Sequence, residues 1–382
     1  MALRVFVIAG EVSGDRLGGA VMAGLGALAP GVEFRGIGGP LMQAQGLSSL
    51  FPMDELSLMG IAEILPKYFH LKRRIRETAQ AVVDWKPDVL LTIDSPDFCL
   101  RVARAVRDAA RIRTVHYVAP TVWAWRPGRA AKMAPFIDQV LALFPFEPPY
   151  MQAAGMDCDF VGHPVVAEPV ATEAEAAAFR AQHGIDGPLI LALPGSRRGE
   201  VGRLAERFGQ TLGLVAERLP KARVVLPMAA PVVPMVRDLT AGWPVQPLLI
   251  DPAADPGGAQ KRAAFRAADV ALAASGTVSL ELAASGTPMV IGYDMSWLSR
   301  QIIGRMLLTD TVTLVNLVSD TRVVPEFVGD ACRPEAMAQA LLATLDDPGP
   351  QQAAMAETMR RLGQGGDPPG LRAARAILDR LP

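Results

Sequence analysis

The chain predicts an α/β fold with two parallel-sheet, Rossmann-like domains, and three observations carry that prediction. Apolar, β-branched runs alternate with longer helical patterns from the first residues onward, the rhythm of parallel strands joined by crossover helices. That rhythm is written twice, and between the halves Val161-Gly-His-Pro-Val-Val-Ala-Glu-Pro-Val170 has no helical or alternating period, as a hinge requires. A length of 382 residues with 50% hydrophobic content is enough to fill two cores.

In the first half the apolar runs place strands at Arg4–Ile8, Val89–Ile93, Thr114–Val118 and Gln139–Leu143. Helical patterns over Arg16–Ala29, Pro66–Trp85, Asp97–Ile112 and Arg126–Phe136 alternate with them. The second half repeats the scheme with strands at Leu189–Leu193, Arg223–Leu226, Val270–Ala273 and Met289–Ile291. Its helices fall at Glu200–Leu219, Val232–Ala241, Ala259–Ala267 and Thr277–Ala284. After Arg333 only helical segments remain, Pro334–Leu345, Gln351–Leu362 and Leu371–Leu381, split by Pro and Gly. The domains expected are therefore 1–165 and 166–345, with the helices of 346–382 packing back across the junction on the first.

Composition narrows the function. A net charge of -1 gives no global excess of Lys and Arg to face a phosphate backbone, so no nucleic-acid partner is expected. Three scattered cysteines fit a reducing, cytoplasmic setting better than a disulfide framework. The opening apolar run meets Glu11 and Asp15 without a cleavage-like site and reads as a first strand. No apolar run reaches the roughly 20 residues a bilayer span needs. The four histidines lack metal-ligand spacing, and Asp157-Cys-Asp159 has no third ligand nearby, so neither metal nor cofactor is expected. The Walker pattern, the Gly-x-Gly-x-x-Gly fingerprint and the Gly-x-Ser-x-Gly elbow are all missing.

In doubly wound sheets the ligand lies beyond the carboxyl ends of the strands, so the loops there carry the chemistry. Ala274-Ser-Gly-Thr277 ends a strand and opens a helix; Gly276 lets amides approach an anion, while Ser275, Thr277 and Ser279 offer hydroxyls. Glu281, one turn on, can accept two hydrogen bonds from a ribose diol. Pro194-Gly-Ser-Arg-Arg-Gly-Glu200 can direct its amides, the Ser196 hydroxyl and the Arg197 guanidinium at a diphosphate. Asn316, the one asparagine of the chain, suggests an amide needed as both donor and acceptor. In the first half Asp94 and Asp97 flank Pro96; Asp97 suits a general base or a helix N-cap equally well. Glu11, Ser13 and Asp15 could orient a polyhydroxylated acceptor or cap the first helix. Ile64, Leu65, Tyr68 and Phe69 adjoin Lys72, Arg73, Arg74 and Arg76, a combination that suits either an anionic bilayer surface or a core helix with a solvated end.

With these residues assembled the chain resembles the lipid-A-disaccharide synthase family, essentially end to end. The resemblance rests on Ala9-Gly-Glu-Val-Ser-Gly-Asp15, Gly36-Ile-Gly-Gly39, Met59-Gly-Ile61, Ile93-Asp-Ser-Pro-Asp-Phe98 and Val122-Trp-Ala-Trp125. It continues through Phe160-Val-Gly-His-Pro164, Leu193-Pro-Gly-Ser-Arg197, Ser275-Gly-Thr277 with Glu281, Val315-Asn316 and Pro325-Glu326. It implies the GT-B architecture, two Rossmann-like domains facing a cleft. The implied reaction is inverting, metal-independent transfer of diacylglucosamine from a UDP donor to the primary hydroxyl of diacylglucosamine 1-phosphate at the cytoplasmic face of the inner membrane. By resemblance Asp97 is the catalytic carboxylate, Arg197, Glu281 and Asn316 serve the UDP end, and the apolar patch before Lys72 touches the membrane. A homodimer stays open. Gly329 departs from the family's usual glutamine, which puts any nucleotide contact from that side chain in doubt. Other UDP-sugar enzymes of this architecture, such as a peptidoglycan-precursor transferase or a 2-epimerase, are the alternatives, as is a membrane-surface sensor of sugar nucleotides that turns nothing over.

Overall fold

A computed structural model of the protein describes residues 2–56, 61–295 and 308–381, with backbone alone over 61–68. The chain divides into two compact units, Met1–Ala167 with Gly365–Pro382, and Glu168–Gln364. In the first, β1 (Arg4–Ala9), β2 (Glu33–Ile37), β3 (Ser48–Ser49), β4 (Val89–Ile93), β5 (Arg113–Tyr117), β6 (Gln139–Ala142) and β7 (Asp157–Phe160) form a parallel sheet of order β3-β2-β1-β4-β5-β6-β7. Its central strands are largely buried because helices cover both faces; Val89–Ile93 is buried at every position, and its one polar residue, Thr92, meets His116 of β5 at 2.8 Å.

The helix Val12–Leu28 packs on Pro369–Leu378, and the sequence permits it through paired glycines. A Cβ at Gly24 would stand 2.8 Å from the Gly370 carbonyl oxygen, and one at Gly370 would stand 2.6 Å from that of Ala20. Ionic ties complete the return: Arg380 forks onto Asp159 at 2.8 Å and reaches Asp157 at 3.0 Å, with Arg113 on Asp157 at 3.2 Å. The acidic pair before the hinge thus spends its oxygens on arginines and on the Gln139 amide, which donates to Asp159 at 2.7 Å.

In the second unit β8 (Leu189–Leu193), β9 (Arg223–Pro227), β10 (Leu248–Ile250), β11 (Val270–Ala273), β12 (Met289–Tyr293) and β13 (Glu326–Val328) pair in parallel in the order β10-β9-β8-β11-β12-β13. The core on one face joins these strands to Leu204, Phe208 and Leu212 of the helix Arg198–Arg218 and to Met337 and Leu341 of Pro334–Asp346. The helix Gly349–Arg361 belongs here too: Gln351 brackets Met289, accepting from its N–H at 2.8 Å and donating to its carbonyl at 3.0 Å.

The structure departs from the sequence reading at several points. Strands β2, β3, β10 and β13 are edge or near-edge strands, short and only partly buried, so they lack the continuous apolar run that marks the centre. The helix expected to open at Pro66 begins at Ile61, and the one expected over Arg126–Phe136 is reduced to Arg129–Met133. Of the helices expected to return to the first unit, only the last does, because Gly349–Arg361 is held by Met289 and the Leu314–Ser319 helix. The units divide after Ala167, two residues beyond the expected boundary.

Candidate active site

Both sheets reverse their order at a single point, between β1 and β4 in the first unit and between β8 and β11 in the second. Ligands of open α/β sheets sit there, beyond the carboxyl ends of the strands. The register sets the loops side by side: Ala9 pairs with Ile93, and Ala273 with Leu193.

At the first switch point Gly10 abuts Ser95; a Cβ on Gly10 would lie 2.6 Å from the Ser95 hydroxyl, so glycine is what lets the two loops touch. Asp94 and Ser95 take φ of 49° and 39°, consecutive left-handed residues outside glycine. Such strain persists only where the surroundings enforce it; here the Asp94 N–H is tied to the Tyr117 carbonyl at 3.0 Å. Burial pushes the Asp94 carboxyl above its ordinary range. Asp97 stands exposed in the first turn of Pro96–Ala109. Ser95, not Asp97, holds the N-cap position, so the capping alternative for Asp97 falls away, and no hydrogen bond or ion pair engages its carboxylate among the described residues.

The other first-unit candidates divide. Glu11 occupies the N-cap of Val12–Leu28 without capping it, and both Glu11 and Ser13 are exposed. Asp15 is corrected: it is buried and accepts from the N–H groups of Gly39, Leu41 and Met42 at 2.9–3.0 Å. Its oxygens start the next short helix and shape the loop instead of offering a face to an acceptor. Near the carboxyl end of β6 sequence reasoning missed Glu147, a buried carboxylate that accepts from the N–H of Leu143 and Phe144 at 3.0 Å each and from the Trp123 indole at 3.4 Å. Burial raises it to about 7.

At the second switch point Arg197 holds the N-cap position of Arg198–Arg218 and its side chain is 75% exposed. Gly195, at φ 120°, packs on Glu200, whose carboxylate accepts from the N–H of Ser196 at 3.2 Å and of Arg197 at 3.3 Å and pairs with the guanidinium at 2.9 Å. The amides of Ser196 and Arg197, expected to cradle a diphosphate, are therefore engaged by Glu200. The missed signal was available, since Glu200 sits three residues after the cap, where a capping carboxylate belongs.

Around β11, Gly276 takes φ 151° and a Cβ there would meet open space; Gly276 and Thr277 are exposed. The Thr277 hydroxyl caps nothing. The Ser275 hydroxyl donates to the Val312 carbonyl at 2.9 Å, joining this loop to the 311–313 segment that Glu326 gathers by accepting from Thr311 Oγ1 and the N–H groups of Val312 and Thr313. Two of the expected nucleotide contacts have partners within the fold. Ser279 is buried and donates to the Gly276 carbonyl at 2.9 Å, so its hydroxyl shapes the turn. Asn316 is 1% exposed and does use its amide as donor and acceptor, but toward the carbonyl and N–H of Val324 at 3.0 and 3.1 Å. Glu281 meets Lys261 Nζ at 2.6 Å, a partner twenty positions away with no local signature. Gly329 adopts φ 64°, the left-handed region that glycine enters without strain.

In the basic segment, the side chains of Ile64, Leu65 and Tyr68 lie outside what the structure describes. Phe69 is 80% exposed. Lys72 and Arg76 are exposed, and Arg73 pairs with Glu77 at 3.4 Å. Arg74 is corrected as a lipid-facing charge: Glu55 at 2.7 Å, Glu77 at 2.9 Å and the Phe51 ring at 4.3 Å absorb its guanidinium within the fold. No helix among the described residues is long and apolar enough to cross a membrane. A recess of about 640 Å³ lined by Glu33, Arg35 and Trp85 opens at the amino end of β2, the opposite end from the switch-point loops.

Two Rossmann-like units with polar loops at each switch point define the class: the GT-B type of fold. Solved structures with this architecture include the UDP-N-acetylglucosamine 2-epimerase of Neisseria meningitidis (TM-score 0.60, 12% identity, 100% of this chain and 99% of that one) and the sucrose-phosphate synthase of Thermosynechococcus elongatus (TM-score 0.56, 14% identity, 100% and 98%), likenesses of fold alone. The model of the lipid-A-disaccharide synthetase family matches residues 5–367. The lipid-A-disaccharide synthases of Ruegeria pomeroyi and Rhodospirillum centenum are 64% and 47% identical, covering 100% and 99% of this chain and 96% and 94% of theirs. The chain belongs to the lipid-A-disaccharide synthetase family and is a glycosyltransferase.

Proposed function

We propose that the chain moves 2,3-diacylglucosamine from UDP to the primary hydroxyl of 2,3-diacylglucosamine 1-phosphate, with inversion, yielding the β-1,6 disaccharide 1-phosphate and UDP. The observation that carries this reading is the family match across residues 5–367. In the reaction the acceptor hydroxyl gives its proton to Asp97 as its oxygen bonds to the anomeric carbon. The bond to the diphosphate breaks on the other side, and UDP leaves with the electron pair. Asp97 suits the base role because it is exposed and unengaged among the described residues beside the strained Asp94–Ser95 turn.

On the second unit, Arg197 and the N-terminus of the Val278–Ser285 helix answer the charge that grows on the departing diphosphate, an electrostatic role that positioned dipoles and guanidinium groups fill well. Glu281 takes the ribose diol. Asp15, Ser279 and Asn316 support the loops from behind. The substrates are lipids, so the protein works at the cytoplasmic surface of the inner membrane as a peripheral enzyme, and exposed Val12, Leu41, Leu50 and Phe69 of the first unit are the apolar side chains offered to it. The chemistry as written needs one copy of the chain.

The test is disaccharide formation from defined donor and acceptor. Asp97→Asn is expected to lower turnover by about 10²- to 10⁴-fold with UDP affinity unchanged, the usual scale of a general base. Arg197→Ala is expected to weaken UDP binding instead. Full turnover in the first variant removes Asp97 from the base role, and intact UDP affinity in the second removes Arg197 from the diphosphate.

A further inference from the structure

Lys261 stands in the first turn of the helix Ala259–Ala267 and is fixed from three sides. Asp255 accepts from its backbone N–H at 2.9 Å, its ammonium lies 5.1 Å from the centre of the Phe265 ring, and Nζ meets Glu281 Oε2 at 2.6 Å. The two helices that carry this pair are tied at their far ends as well, where Arg266 donates to the Ser285 carbonyl at 2.7 Å and Thr287 to the Phe265 carbonyl at 2.5 Å. Their separation is thereby set. A carboxylate offers about four lone-pair directions, and the ammonium takes one, on a single oxygen. Both side chains keep roughly two-fifths of their surface, 41% for Glu281 and 43% for Lys261, so the rest of the carboxylate stays accessible.

We infer that Lys261 is a positioning residue for the nucleotide: it clamps Glu281 in one rotamer so that the remaining lone pairs face a ribose diol. Lys261 touches no part of the diphosphate and acts on affinity through the diol alone. This rests on the reading of Glu281 as the ribose ligand, and it adds a cation that makes the site selective for ribonucleotides over deoxyribonucleotides. An unclamped glutamate would pay rotamer entropy on binding that the clamped one has already lost.

Calorimetric titration of the full chain with UDP and with 2′,3′-dideoxy-UDP tests it. Lys261→Met is expected to weaken UDP by about three- to fivefold, the scale of one exposed charge pair, and to leave dideoxy-UDP unchanged, with the thermal midpoint kept. Lys261→Arg is expected to restore most of the loss. Equal weakening of both nucleotides, or no weakening of UDP, overturns the proposal. Glu281→Gln separates this from the reading beneath it: if that variant leaves UDP affinity intact, Glu281 is not the ribose ligand. If Glu281→Gln weakens UDP and Lys261→Met does not, the clamp alone is wrong.

Discussion

Asn316 shows how tertiary packing can give a singled-out residue a partner within the fold. Its amide works as donor and acceptor, as its singular occurrence suggested, but both bonds go to Val324. Asn316→Ala leaves a buried N–H and a buried carbonyl unpaired, each costing roughly 1–3 kcal/mol. Chemical denaturation should therefore report a loss of about 2–5 kcal/mol. UDP should raise the melting midpoint of the variant by the same increment as the parent's, since no direct contact is lost; a vanished increment would return Asn316 to the nucleotide. Asp15, Ser279 and Glu281 teach the same lesson: residue type and loop position were legible, whereas the partner of each polar atom was not, because partners come from elsewhere in the chain.

At the scale of elements the loops beyond the strands are built by carboxylates that gather backbone amides, Asp15 after β1 and Glu147 after β6, both buried, and the half-buried Glu200 after β8 and Glu326 on β13. Glu147 also fixes Trp123 of the neighbouring loop, whose ring meets Phe146 edge-on at 5.1 Å. Burial lifts the Glu147 carboxyl from 4.5 to about 7, so the folded state binds its proton more tightly than the unfolded chain does. Its contribution is whole below about pH 4.5 and is lost as pH rises toward 7. Against Glu147→Gln, which does not titrate, the parent protein should lose relative stability across that window and level off above it. A flat difference in melting midpoint from pH 5 to 8 would mean the carboxylate is better solvated than its burial implies.

For the whole molecule the decisive feature is the return of the last helix to the first unit. Pro369–Leu378 buries Ala373, Ala374 and Ile377, seats Gly370 against Ala20, and is followed by Arg380 on Asp157 and Asp159. A chain ending at Gln364 would strip that cover from Val12–Leu28 and leave the acidic pair short of a cation. Scanning calorimetry should then show the first unit melting well below its position in the full chain, with the transition of the second unit little changed. A single unshifted transition would show that the first unit does not depend on its C-terminal helix.

The central strands, the two repeated halves and the glycine-bearing loops at strand ends were determined by the sequence alone, because they follow from local period and composition. Only the tertiary structure decided the edge strands, the allegiance of the helices after Arg333, and which carboxylate meets which amide or cation. Those depend on groups tens to hundreds of positions apart, such as Lys261 with Glu281 or Arg380 with Asp159, brought together by packing of the cores. A one-dimensional pattern records which face a residue buries; it does not record what waits on the other side.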